Sequence, residues 1–193
     1  MPNTSATGGF LTQVSGPIEG LDLRRFIGTL LVGVSGLNTS LVRPMWQKNP
    51  PPIPDIDTNW LAFGITGRRA DNDPYQVEKA DGSGSLMSRH EELDIQLIFY
   101  GPDCLQKAGE LRDGFELTQN TESLLLAGMA FIDMSDVVHA PELVNQRFFD
   151  RADATLVIRR EVRREYRVLN FVSAYGEIHA NRATETLSRN WSA

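Results

Sequence analysis

The sequence predicts an α+β fold: a mainly antiparallel sheet flanked by two or three helices, with an extended proline-rich arm. Three observations carry this. Leu93, Ile95, Leu97 and Phe99 alternate with Glu92, Asp94, Gln96 and Ile98, the period-two pattern of an antiparallel strand with one wet face. Strand-like runs stand on both sides of one helical block, an order that sets helices against one face of an antiparallel sheet. Half of the chain's ten prolines fall between Pro44 and Pro54, with Trp46 and Trp60 around them. A run such as Asn49-Pro50-Pro51-Pro52-Ile53-Pro54 excludes helix and central strand, because proline fixes φ and has no N–H to donate.

Residues 1–17 are rich in Ser, Thr, Gly and Asn and end in Gly16-Pro17, which predicts a flexible lead-in. Ile18, Leu21, Leu30, Leu31 and Val34 fall at helical spacing, Asp22 suits the positive helix end and Gly36 a stop, so a helix is expected over about 19–35. Gly28 and Gly33 each weaken it by about 1 kcal/mol against Ala. They mark either a close approach or plain tolerance, and both readings stand. Residues 43–58 form the arm, whose favoured state is extended polyproline II.

Trp60 to Thr66 reads as a strand, Asp71 to Pro74 as a turn and Tyr75 to Lys79 as a short strand. Asp81-Gly82-Ser83-Gly84-Ser85 has hairpin-loop chemistry. After the strand around Leu93–Phe99, Gly101-Pro102-Asp103 starts a helix with an apolar stripe of Cys104, Leu105, Ala108, Leu111 and Phe115. A shorter helix over Glu122–Leu126 ends at Gly128, and Phe131, Ile132 and Met134 predict a strand. Glu142 to Val144 reads as a loop or single turn. Residues 148–178 are β-rich, with Ala152, Ala154, Leu156 and Ile158 alternating and Val162–Val168 as a turnaround. The polar residues from 181 to 193 read as a tail. The expected organisation is one domain over 18–180 between two flexible ends, with no internal repeat.

Composition narrows the function classes. A net charge of −6 and a pI near 5.1 argue against a nucleic-acid backbone as the main partner. No apolar run is long enough to span a bilayer, and no basic-then-apolar leader opens the chain. The lone Cys104 makes no intrachain disulfide and no cysteine-based zinc site, which fits a reducing environment.

Reactive candidates are weak. His90, Glu92 and Asp94 line one strand face while Glu91 faces away, with His139 and His179 remote in sequence, so a solvated face is preferred to a metal site. Cys104 sits near a helix N-terminus, but no base or oxyanion signature accompanies it, and a small core residue is the better reading. The Gly-Ser loop lacks the Lys-Ser/Thr ending of a phosphate loop. No catalytic residue, metal or cofactor is expected.

The strip Arg159-Arg160-Glu161-Val162-Arg163-Arg164-Glu165-Tyr166-Arg167 is the main charged feature. Three readings are open: a strand edge whose arginines bind carboxylates of a neighbouring subunit, a solvated face, or a small anion- or nucleic-acid-binding module with Tyr166 to stack.

Several phrases point to a family. Leu41-Val42-Arg43-Pro44-Met45-Trp46-Gln47, the proline cluster and Asn59-Trp60-Leu61-Ala62-Phe63-Gly64-Ile65 resemble the front half of the neck (tail) terminator proteins of contractile-tailed bacteriophages. Arg89-His90-Glu91-Glu92-Leu93, Phe99-Tyr100-Gly101-Pro102, Leu111-Arg112-Asp113-Gly114 and Pro141-Glu142-Leu143-Val144-Asn145 resemble later blocks of that family, in order. The resemblance implies a structural virion protein rather than an enzyme. It implies a homo-oligomeric ring, usually a hexamer, that caps the tail tube, contacts the sheath and joins the tail to the head-tail connector proteins. Assembly in the host cytoplasm is implied, with no membrane. Genomic DNA would pass the lumen without sequence-specific binding. Another head-tail joining or baseplate component, such as a stopper or tail-completion protein, is the alternative within the structural class. The expected interface residues are Arg43, Trp46, Pro50, Pro51, Pro52, Pro54 and Trp60 on the arm, and Arg159, Arg160, Arg163, Arg164 and Arg167 on the strip. Whether the arm straps a neighbour or its own subunit is left open by the sequence.

Overall fold

The computed structural model of the chain describes residues 3–144, 146–169, 175–182 and 185–192. In chain order it has α1 (Gly20–Ser35), β1 (Val42–Pro44), β2 (Trp60–Ala70), β3 (Tyr75–Glu78), β4 (Ser85–Tyr100), α2 (Cys104–Phe115), α3 (Thr118–Leu126), β5 (Met129–Met134), β6 (Val138–His139), β7 (Glu142–Val144), β8 (Arg147–Phe149), β9 (Arg151–Tyr166), β10 (Tyr175–Arg182) and β11 (Glu185–Ser192). The fold class is α+β, with three helices and a mixed, mostly antiparallel sheet among the described residues. The chain divides into two units: residues 17–74 with 88–162, and residues 1–16 with 75–87 and 163–193.

The larger unit is built on the strand order β1-β2-β4-β9-β5. β2 runs antiparallel to β4, β9 antiparallel to β5, and β1 parallel to β2 at the edge. The alternation read from the sequence is carried into the core: Leu93, Ile95, Leu97 and Phe99 of β4 are buried, as are Ala152, Ala154, Leu156 and Ile158 of β9. They share one core with Leu23, Ile27 and Leu31 of α1 and Cys104, Ala108, Leu111 and Phe115 of α2. α1 ends where expected, with Gly36 in the left-handed region at φ 67°. Its two glycines differ. A Cβ on Gly28 would meet the Phe63 ring at 3.1 Å, whereas one on Gly33 would meet nothing within 4 Å.

The structure departs from the sequence reading at several places. Glu142–Val144, expected as a loop, is a strand that pairs antiparallel with Arg147–Phe149, with Gln146 at φ 63° in the turn. Its short, mixed-polarity strands carry no period to read. Val162–Tyr166, expected as a turnaround, continues β9, because its charged side chains alternate along an extended backbone. α3 starts at Thr118 rather than Glu122, hidden by the weak helix formers Asn120 and Thr121. Leu105, placed in the apolar stripe of α2, is 47% exposed. β4 begins eight residues before Leu93, where charge on both faces masks the pattern. The three-residue β1 escaped notice because it ends in Pro44.

In the smaller unit, β3 turns back on the first residues of β4, closed by Lys79 N–H to the Gly84 carbonyl at 2.9 Å. The N-terminal segment is tied to the end of β9, with Val14 N–H to Glu165 O at 2.8 Å and Ser5 N–H to Arg167 O at 3.1 Å. Beyond Asn181, where polarity predicted a tail, the backbone forms β11, paired antiparallel with β10 from Arg182↔Glu185 to Tyr175↔Ser192. The expected run from Leu169 through Val172 lies mostly outside the described residues.

One buried ion cluster ties the larger unit together. Arg160 of β9 is 2% exposed and Glu91 of β4 is 7% exposed. The Arg160 guanidinium donates to Glu91 Oε2 at 2.9 Å, to Glu19 Oε1 at 2.5 Å and to the Ile18 carbonyl at 2.8 Å. Arg68 of β2 adds a second hydrogen bond to Glu19 at 2.7 Å. Burial pushes the Glu19 carboxyl pKa up, but hydrogen bonds from Arg68 and then Arg160 outweigh it and hold the group below its ordinary value of 4.5.

Arg160→Ala leaves Glu91 buried without its cation and is expected to lower the unfolding free energy by about 3–5 kcal/mol. Arg160→Met combined with Glu91→Leu should recover most of that loss, read as urea midpoints at unchanged slope. Glu19 has a depressed folded pKa, so its contribution is full above the unfolded value and lost as pH falls through the folded value. The destabilisation by Glu19→Gln, measured by thermal melts across pH 7 to 3, should therefore shrink below about pH 4.5. Gly33→Ala should stabilise by about 0.5–1 kcal/mol, while Gly28→Ala gains less because Phe63 must give way.

Candidate functional site

The proline-rich segment leaves the sheet at its edge. β1 pairs with β2 as Val42↔Leu61, Arg43↔Ala62 and Pro44↔Phe63, and Met45 N–H continues the ladder to the Phe63 carbonyl at 2.7 Å. The chain then turns sharply. Trp46 sits at φ 55°, in the left-handed region that a bulky residue occupies only when its surroundings hold it there. Those surroundings are Gly64, against which the indole packs so closely that a Cβ there would lie 2.6 Å from Trp46 Cζ3. Gln47 Nε2 donates to the Pro44 carbonyl at 2.8 Å and closes the turn. The indole nevertheless remains 68% exposed.

The root of the segment is a four-layer stack. Trp60 and Tyr100 are partners in the β2–β4 register, and their rings stack at 4.3 Å between centroids with 9° between planes. The Arg43 guanidinium lies over Trp60 at 5.6 Å, and that of Arg151 over Tyr100 at 6.0 Å. Each contact of this kind contributes about 0.5–1.5 kcal/mol. Arg43 also donates to the Ser40 carbonyl at 2.9 Å and to the Pro52 carbonyl at 2.6 Å, so the returning limb is pinned to the root. Arg151 is held by Asp153 at 2.7 Å and Glu142 at 3.1 Å. Its pKa is raised, first by the hydrogen bonds to Asp153. Burial pushes the Tyr100 phenol up.

Past the root, residues 45–59 form no helix or strand, as the prolines require. Pro50, Pro51 and Pro52 are exposed, Pro54 is half-buried and Ile53 is 67% exposed. Ile53 to Asp57 share a 550 Å³ cavity with Arg147 and Phe149 of β8. Asn59 and Asp103 then exchange two hydrogen bonds, at 2.9 and 3.0 Å, which fix the point of return.

The structure therefore gathers Arg43, Trp46, Pro52 and Trp60 at one end of the sheet. It does not gather the arginine strip into one patch. Arg160 is buried and committed to Glu91 and Glu19, while Arg159 is exposed 4.0 Å from Asp71. The expectation of a strand edge fails for these residues: β9 lies between β4 and β5. Arg163, exposed, and Arg164 and Arg167, half-buried, belong to the smaller unit.

Sequence reasoning missed Tyr100, Arg151 and Ile53. The Trp60–Tyr100 pair becomes visible only with the strand register, although both aromatics flank clear strand ends. His90 lies 3.5 Å from Asp71, and Arg69 bonds Glu92 and Asp94, so this strand face carries surface ion pairs. Among the described residues, no group of three His, Cys, Asp or Glu side chains is placed to hold a metal. Cys104 is buried in the core, and burial raises its thiol pKa away from the reactive thiolate.

Chemically, this site offers exposed apolar side chains on a preset backbone, anchored by a rigid root. Such an arrangement suits docking against another surface. A search among curated proteins found no match to the chain. The family model of the phage neck terminator protein, by contrast, matches residues 21–182, a span that runs from α1 through the proline segment and the whole strand order to the end of β10; the chain belongs to that family.

Proposed function

We propose that this chain assembles as a ring, six copies by the habit of such proteins, at the neck of a phage particle. There it terminates the tail tube, contacts the sheath and joins the tail to the head connector. The proline-rich arm straps adjacent subunits. Membership of the neck terminator family supports the setting. The observation that carries the strap is the contrast within the arm: Arg43, Trp60 and Tyr100 fix its root, while Trp46 and Ile53 present apolar side chains at 68% and 67% exposure.

Ring closure requires one patch to fit a different patch on the next copy. A polyproline segment suits that task, because its shape is preset and little entropy is lost when it docks. The net charge of −6 suits a lumen through which DNA passes without adhering. The particle, assembled in the host cytoplasm, is the place of action. The competing module on the arginine strip is weakened because Arg160 is bound within its own core.

Replacing Pro50, Pro51, Pro52 and Pro54 with Ser and Gly should shift the solution mass towards monomer and reduce tail joining in an assembly assay. An unchanged oligomer with unchanged joining removes the strap.

A further inference from the structure

The outer face of α1 and the sheet edge enclose a groove of 420 Å³ whose floor is apolar, with Leu21 and Val32 on the helix side and Val42 and Phe63 on the sheet side. Arg24 and Arg25 stand at its mouth. Both arginines are exposed. The Arg25 guanidinium bonds the equally exposed Asp22 at 3.3 Å, and Arg24 has no ion-pair partner among the described residues. Elsewhere on the same unit, the arm presents the complementary pattern: an exposed apolar Ile53 followed at alternate positions by the exposed acids Asp55 and Asp57. Neither acid has an ion-pair partner among the described residues. The arm cannot satisfy the groove of its own chain in this conformation. Arg43 holds Pro52, and Ile53 to Asp57 line the separate cavity beside Arg147 and Phe149.

We propose that the groove between α1 and the β1 edge is the receptor for the arm of a second copy of this chain. The neighbouring copy's Ile53 fills the apolar floor, and its Asp55 and Asp57 pair with Arg24 and Arg25. The inference rests on the strap reading given above and names its receiving surface. The spacing agrees with the chemistry. A polyproline II segment advances about 3.1 Å per residue, so Asp55 trails Ile53 by about 6 Å, within reach of arginine side chains at the mouth. Pro54 disfavours the helical region for Ile53 and so biases it to extended backbone before contact. The contact is heterologous, arm to groove, which is the kind that closes rings. Apolar insertion supplies most of the affinity and the charge pairs set orientation and register.

The test is charge reversal with exchange in the full chain. Arg24→Asp with Arg25→Asp, and separately Asp55→Arg with Asp57→Arg, should each weaken subunit association about tenfold in sedimentation. Equimolar mixing of the two reversed chains should restore association, because every groove–arm contact between unlike chains is charge-matched, and combining all four changes in a single chain should restore it as well. In parallel, a chain carrying Ile53→Cys is mixed with one carrying Thr29→Cys, a groove residue, both with Cys104→Ser. A disulfide-linked heterodimer is expected, and it can form only between copies.

Reversed chains that associate as the unchanged chain does, or a four-fold variant that fails to recover, overturn the groove while leaving the ring reading intact. Absence of the heterodisulfide in rings that do form has the same consequence. An unchanged chain that stays monomeric at every concentration overturns the ring reading and this one together.

Discussion

Arg160 reaches from β9 across to Glu91 on β4 and outward to Ile18 and Glu19 at the start of α1, so one guanidinium fixes where the helix begins relative to two strands. Hydrophobic packing alone is non-directional and leaves a helix free to slide along a sheet by a fraction of a turn. A planar fork with fixed donor directions removes that freedom. The desolvation of Arg160 and Glu91 is expensive, and the pair adds little to net stability, but an unpaired member would cost far more. Everything on the outer side of α1, including the groove walls at Leu21 and Val32, takes its position from this start point.

The arm obeys a different logic. Its backbone has no ladder to join and few donors to satisfy, so order comes from the ends. At the root, Arg43, Trp60, Tyr100 and Arg151 form a stack in which two cations cover the outer faces of two rings. The left-handed turn at Trp46 costs on the order of 1–3 kcal/mol and persists because Gly64 makes room for the indole. Between these fixed points the prolines keep the segment out of helix and strand, and Pro50 to Ile53 stay exposed before the turn that Thr58 N–H closes on the Asp55 carbonyl at 2.9 Å. Rigidity and exposure, which usually oppose each other in a loop, are here supplied by separate residues.

Much of the fold is legible in the sequence, for reasons that can be named. β4 and β9 show strict alternation because one face of each meets the core, and the α1 stop at Gly36 is a local requirement of a left-handed cap. Features that depend on partners distant in sequence are not legible. Arg160 reads as part of an arginine strip because nothing local shows that Glu91, 69 positions away, waits on the next strand. Tyr100 reads as a strand end until the register sets it on Trp60. The β7–β8 hairpin is too short to show a period. The prolines at 50–54 announce an extended segment by themselves, but the groove is assembled from residues between 21 and 63 that share no motif.

β1 has a further consequence for how copies of the chain can meet. It is the outermost strand, only three residues long, and it ends in Pro44, beyond which the chain turns away at Trp46. A long open strand edge is a template: any extended segment can add to it, and each addition presents a fresh edge to the next. Growth by that route has no natural end and leads to fibres. With so short a ladder, cut off by a residue that cannot donate, this side of the sheet gives no such template. A contact made on this side therefore rests on side-chain shape and charge, and contacts of that kind saturate once each surface is covered.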